Sequence, residues 1–256
     1  MNKGLELKNI SKIYQDNNGE TLAIKDFSYH FINHEFTTLL GPSGCGKSTL
    51  LSIISGLESP SSGNVFLDGV DITNHSSNIG YMLQKDYLLE WRTILGNVLF
   101  GLEIKHILTQ ENINYAKKLL KTYGLSEFID KYPSQLSGGM RQRAALIRTL
   151  ATKPDILLLD EAFSALDYQT RLDVSSDVYR IIKSEKKTAI MVTHDIPEAI
   201  SLSDTIIVLS ERPSCIRNVH HIQFEIENRN PLNCREHPNF RKYFDTIWRE
   251  LNTNDK

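Results

Sequence analysis

Long apolar runs are missing from this sequence. No stretch approaches the roughly 18 unbroken hydrophobic residues of a membrane-spanning helix, and the densest runs, Ile156–Leu159 and Thr205–Leu209, are strand-sized. The opening residues MNKGLELKNI hold no apolar block of the kind a secretory leader needs. Cysteine is scarce: Cys45, Cys215 and Cys234 are odd in number and have no metal-ligand spacing, so a reduced, cytosolic chain is expected rather than a disulfide scaffold or zinc module. An excess of positive charge is also missing. The chain has 29 Lys plus Arg against 31 Asp plus Glu, so no bulk basic field draws nucleic acid, although a local patch stays open. What remains is ordinary for a globular protein: 40% hydrophobic and 23% charged residues in a chain of 256, enough for one large domain or two small ones.

Apolar runs rich in branched residues predict strands at Leu5–Ile10, Phe36–Leu40, Asn64–Leu67, Ile79–Leu83, Ile156–Leu159, Ala189–Val192 and Thr205–Leu209. Between several of them the spacing turns helical; Val174, Val178, Ile181 and Ile182 fall on one helix face. Strands alternating with helices predict an α/β fold with a mainly parallel sheet. The early strands, set close with Asn18-Gly19 and Asp68-Gly69 turns, predict an antiparallel flank. Residues 86–151 lack strand pattern and predict an inserted helical subdomain, with helices near Ile113–Tyr123 and Ser137–Ala151. The expected division is thus a core of 1–85 and 152–220 around that insertion, followed by a tail, 221–256. In the tail Phe240, Tyr243, Phe244, Ile247, Trp248 and Leu251 form an amphipathic helical stripe, expected to dock on the chain's own domain.

Gly41-Pro42-Ser43-Gly44-Cys45-Gly46-Lys47-Ser48 matches the phosphate-binding pattern G-x-x-x-x-G-K-S. Chance would supply such a match in roughly one random chain of this length in a hundred, and the setting is right. A predicted strand precedes the loop, and an apolar helix carrying Leu50, Leu51, Ile53, Ile54 and Leu57 is expected after it. Glycines let successive backbone N–H groups converge on an anion, and the helix N-terminus favours negative charge. Lys47 is expected on the β- and γ-phosphates and Ser48 on Mg²⁺, with Thr49 continuing the loop into the helix. Cys45, inside the loop, is a small filler whose modification by thiol reagents should inhibit, with ATP protecting.

Asp155-Ile156-Leu157-Leu158-Leu159-Asp160-Glu161 reads as a strand buried on both faces and ending in two acids. Ligands sit at the carboxyl ends of parallel strands. Asp160 is therefore a candidate for the Mg²⁺ shell, and Glu161 for polarising the water that attacks the γ-phosphate. Two solvated loop acids are the alternative.

Leu136-Ser137-Gly138-Gly139-Met140 precedes that strand, and Ser164-Ala165-Leu166-Asp167 and then His194 follow it. In this order the motifs resemble those of the ATP-binding cassette (ABC) family along nearly the whole chain. The resemblance implies a P-loop NTPase core of RecA-like type. It further implies that Ser137, Gly138 and Gly139 approach the nucleotide held by a partner copy, that Asp167 contacts that copy, and that His194 meets the γ-phosphate. Gln84 then touches Mg²⁺ or the attacking water, and Tyr14 stacks on adenine. Met140 departs from the family's usual Gln and cannot complete a capping box with Ser137.

The run Leu88-Leu89-Glu90-Trp91-Arg92-Thr93 after Gln84, the stretch His194-Asp195-Ile196-Pro197-Glu198-Ala199 and Leu209-Ser210-Glu211-Arg212-Pro213 are similar to the nitrate, sulfonate and taurine branch of importer ATPases. The branch implies a homodimer on the cytoplasmic face of the membrane, using ATP and Mg²⁺. It also implies transmembrane permease partners, a solute-binding protein engaged only indirectly, and no nucleic acid. Leu88, Leu89 and Trp91 are expected to receive a permease helix, with plain packing as the alternative. An exporter or lipoprotein-release ATPase is the nearest alternative, and a soluble non-transport cassette a more distant one.

Overall fold

The computed structural model describes residues 4–16, 19–75, 78–164, 166–227 and 229–252. Its strands are β1 (Gly4–Asp16), β2 (Gly19–Ile32), β3 (Phe36–Leu40), β4 (Ser62–Leu67), β5 (Val70–Asp71), β6 (Ile79–Met82), β7 (Ile156–Asp160), β8 (Thr188–Thr193), β9 (Thr205–Leu209) and β10 (Ile216–His221). The helices are α1 (Lys47–Ile54), α2 (Ile94–Ile104), α3 (Gln110–Thr122), α4 (Gly138–Ala151), α5 (Tyr168–Ser184), α6 (Ile196–Leu202), α7 (Pro231–Glu236) and α8 (Pro238–Asn252).

Six strands form the main sheet in the order β10-β9-β3-β8-β7-β6, all parallel except the antiparallel edge pair β10–β9. Every residue of β3, β8 and β9 is buried, as strands covered on both faces require. The second sheet, β2-β1-β4-β5, is antiparallel. Asp68 and Gly69, both at positive φ, turn β4 into β5. The turn between β1 and β2 includes Asn18, which lies outside the described residues.

Alternation along β7 splits the core. Leu157 and Leu159 face a cluster built with α2, α4 and α5, while Ile156 and Leu158 face Leu50 and Leu51 of α1 and the antiparallel sheet. A third cluster joins Leu40, Ile206 and Val208 to α6 and to Ile247 of α8. The tail stripe thus docks on its own chain, with Trp248 left outside and stacked on Phe244 at 5.9 Å.

Several expectations change. β2, β10 and α2 were not anticipated as elements. Leu57 does not belong to α1: the helix ends at Ile54, Gly56 turns left-handed at φ 74°, and Leu57 beyond it is 73% exposed. Met140 packs against the core, and Ser137 caps α4 with a single side-chain bond from Met140 N at 3.4 Å.

Candidate nucleotide site

The carboxyl ends of β3, β7 and β8 are adjacent, so the chains leaving them meet at one edge of the sheet. From β3 comes the loop 41–46. Gly44 and Gly46 adopt φ of 75° and 119°, and a Cβ on Gly46 would lie 3.1 Å from the Ala23 carbonyl oxygen. These conformations aim the backbone of the loop at the start of α1. Lys47 is buried, its Nζ donating to the carbonyl oxygens of Gly41 and Pro42, each at 2.8 Å. Cys45 is buried beneath the loop with its sulfur 4.0 Å from Lys47 Nζ.

From β7 come the two acids. Ser48 Oγ donates to Asp160 Oδ1 at 3.0 Å and Tyr81 Oη to Asp160 Oδ2 at 3.1 Å. Burial pushes the Asp160 carboxyl upward, against the pull of those two donors. Glu161 leaves the strand at φ 45°, a left-handed conformation costing about 1 kcal/mol for a residue with a side chain. Its backbone N–H still bonds the Val192 carbonyl at 3.0 Å. That kink turns Glu161 away from Asp160 and toward β8, where its Oε1 lies 3.2 Å from His194 Nδ1.

A cavity of about 250 Å³ is lined by Tyr14, Ser43, Gly44, Lys47, Thr49 and Glu161, among others. Tyr14 Oη donates to Glu58 Oε2 at 2.8 Å and lies 3.3 Å from Thr49 Oγ1, while Lys12 Nζ stands 5.0 Å from its ring centroid. Gln84 is not a lining residue; its amide nitrogen donates to Ser164 Oγ at 2.9 Å. Ser164 in turn donates to the Glu161 carbonyl at 3.0 Å.

The remaining predicted residues lie elsewhere. Gly138 borders a different groove, with Lys85, Asp86, Leu136, Arg141 and Leu166. Gly139 is packed against α5, where a Cβ would meet Val174 Cγ2 at 2.9 Å and Thr170 Cγ2 at 3.0 Å. Asp167 caps α5, accepting from Thr170 N at 3.1 Å, and its bonds to Thr170 hold its carboxyl below the usual range. One chain therefore does not bring Ser137–Gly139 or Asp167 to the cavity that Lys47 and Glu161 line.

The protein-family model described as ABC transporter matches residues 24–164. The chain belongs to the ABC transporter family. It is 48% identical to an uncharacterized ABC transporter ATP-binding protein, YtlC, of Bacillus subtilis, over 98% of this chain and 97% of that one. It is 36% identical to the nitrate import ATP-binding protein NrtD of Synechocystis, over 95% and 93%. The solved ATP-binding cassette MJ0796, a dimer in a post-hydrolysis state with ADP and phosphate, superposes with a TM-score of 0.73 at 31% identity, over 86% of this chain and 99% of that chain. The chain is an ABC-type ATPase with a P-loop NTPase core.

Within this ABC chain the segment after Gln84 is fastened to the helix that begins at Gly138. Arg141 grips Asp86 through two bonds of 2.9 and 3.2 Å, and Arg148 donates to the carbonyls of Tyr87 and Asp86 at 2.7 and 2.8 Å. One sequence expectation is corrected here. Leu88 is buried in the core and unable to receive a partner, whereas Tyr87 and Trp91 are 58% and 75% exposed. Three site neighbours escaped the sequence reading. Tyr81 precedes Gln84 on β6 and is found only by pairing that strand with β7. Ser164 belongs to a quoted motif but had no role, and Arg212 sits in a branch motif read only for likeness.

Proposed function

We propose that this chain is the ATP-hydrolysing subunit of a solute importer, working as a homodimer on the cytoplasmic face of the membrane beneath transmembrane permease subunits. The observation that carries this reading is the division of labour within one chain. Gly41, Pro42, Ser43, Gly44, Cys45, Gly46, Lys47, Ser48 and Thr49 form a cradle beside Asp160, Glu161 and His194, while Gly138 lines a separate groove and Ser137, next to it, does not line the cradle's cavity. Two copies arranged head to tail supply what each lacks: Ser137, Gly138 and Gly139 of one copy cover the nucleotide in the other's cradle, and Asp167 faces the partner. The dimeric MJ0796 cassette supports this arrangement.

Phosphate oxygens entering the loop replace the Gly41 and Pro42 carbonyls as partners of Lys47, a stronger, charge-assisted contact. Glu161 then takes a proton from the attacking water, with His194 beside it holding the γ-phosphate end. Lys47 stabilises the charge developing on the transferred phosphoryl. The donor set fits Mg²⁺. Ser48 and Asp160 offer hard oxygen ligands 3.0 Å apart, burial of Asp160 favours a nearby cation, and among the described residues no cluster of three or more His, Cys, Asp or Glu forms a closed cage. Ser48, Asp160 and Gln84 would hold the ion, which neutralises phosphate charge when bound. Tyr14, at the cavity wall, stacks on the adenine. ATP binding closes the dimer because the closed state holds the nucleotide on both sides, and loss of the γ-phosphate reopens it.

Among the described residues no helix is long and apolar enough to cross a membrane; in this reading the solute path belongs to partner subunits. Exposed Tyr87 and Trp91, on a segment tied to α4, are the contact for a permease helix. The NrtD likeness supports nitrate as the solute; the branch motifs after Gln84 and His194 keep a sulfonate or taurine beside it, with delivery by an extracytoplasmic binding protein as part of the proposal. The division into a cassette, 1–220, with helical subdomain 86–151 and tail 221–256, goes with this reading. Glu161→Gln should keep ATP binding and lose turnover by several hundredfold or more, on the order of a removed catalytic base. A variant hydrolysing at the parental rate would show that the base lies elsewhere.

A further inference from the structure

The carboxyl end of β9 lies beside that of β3, with Val208 opposite Leu40 in parallel register. The chain leaving β9 therefore emerges against the phosphate loop, and the loop 210–215 becomes a side wall of it. Backbone bonds fix that wall to β2: Ser214 N donates to the Ala23 carbonyl at 2.9 Å, and Lys25 N to the Ser214 carbonyl at 3.0 Å. Ser210 Oγ gathers the turn, 2.8 and 3.0 Å from the Glu211 and Pro213 carbonyl oxygens and accepting from Cys215 N at 3.0 Å. From this wall Arg212 reaches across the loop. Its Nη2 donates to the Gly44 carbonyl at 2.7 Å, and its side chain lines the same cavity as Ser43, Gly44, Lys47 and Tyr14.

Among the described residues the Gly44 carbonyl is the one hydrogen-bond partner of the Arg212 side chain. The remaining donors of its planar fork are left for a ligand. Lys47 is folded onto Gly41 and Pro42, so the two cations line one cavity while bonding different carbonyls of the loop. We infer that Arg212 is a second cationic contact for the nucleotide, bonding the diphosphate that ATP and ADP share and setting how tightly both are held. This rests on the nucleotide-site reading above.

Calorimetric binding of Mg·ADP and of a non-hydrolysable ATP analogue to wild type, R212Q and R212K tests it. Glutamine is two atoms shorter and carries no charge, so R212Q removes both the Gly44 bond and the cation, and a purely structural role for Arg212 would show as a lowered melting temperature of nucleotide-free R212Q. The expected result is a loss of about tenfold in affinity for both nucleotides in R212Q. Most of that loss should be recovered in R212K, with unchanged melting of the three nucleotide-free proteins. Unchanged affinity in R212Q would overturn the assignment. Equal losses in both variants, accompanied by a lowered melting temperature, would overturn it too and make Arg212 a prop of the wall. A wild type that binds neither nucleotide would instead sink the site itself.

Discussion

Glu198 sits on α6, one turn beyond His194, with 5% of its surface exposed. Burial pushes its carboxyl up to about 7; the Asp195 charge adds to the rise, while a bond to Thr193 and the charges of Arg171 and His194 oppose it. The ordinary value is 4.5. The folded chain therefore keeps a proton that the unfolded chain releases, and stability present below about pH 4.5 is lost as pH rises through 7. The loss reaches on the order of 3 kcal/mol above neutrality. Glu198→Gln should flatten the melting temperature between pH 5 and pH 8 and raise it at pH 8; a variant that keeps the parental slope counts against this. At this scale the sequence spoke where a motif fixes residue types, as at Gly41–Thr49, Asp160 and Glu161. It was silent where a neighbour arrives through sheet pairing. Tyr81 reaches Asp160 only because β6 lies beside β7, and Arg212 reaches Gly44 only because β9 lies beside β3.

α2 carries a buried polar side chain away from the cavity. Asn97 is fully buried; its Oδ1 accepts from Leu89 N at 2.6 Å, and its Nδ2 donates to the carbonyls of Leu89, Arg92 and Thr93 at 3.0 to 3.1 Å. These bonds shape the segment that presents Trp91, while Arg141 and Arg148 tie its beginning to α4. Asn97→Ala strands buried backbone groups and should destabilise the fold by about 3 kcal/mol in denaturant melts. Hydrogen exchange should rise first at residues 86–93. A neutral substitution, or exchange unchanged in that segment, would contradict this account. The element itself was unreadable in advance. Its sequence ILGNVLFGLEI is apolar almost all round and shows no amphipathic period. β3 and β9, by contrast, were read to the residue because continuous branched runs leave a buried parallel strand as the natural fit. β2 was missed since its burial alternates irregularly along a bulged pairing with β1.

On the function proposed above, the whole molecule carries half of a reaction centre on each of two separate surfaces. The cradle and the acids gather where β3, β7 and β8 end, and the Ser137 helix start faces outward from the inserted helices. Family order made that division expected from sequence; the distances within the cradle and the pairing of Glu161 with His194 were not readable there. The composite site can be tested by mixing two inactive chains. Lys47→Ala loses its own cradle but keeps a sound Ser137 helix, while Ser137→Glu places a negative charge where the proposed dimer puts the partner's γ-phosphate. Circular dichroism first establishes that both are folded. ATPase activity is then measured for each alone and for an equimolar mixture. Each alone should be nearly inert and the mixture should regain a clear fraction of wild-type turnover, because a mixed dimer holds one intact site. A mixture that stays as inert as its components, or a Ser137→Glu chain fully active by itself, would contradict an active centre shared between two copies.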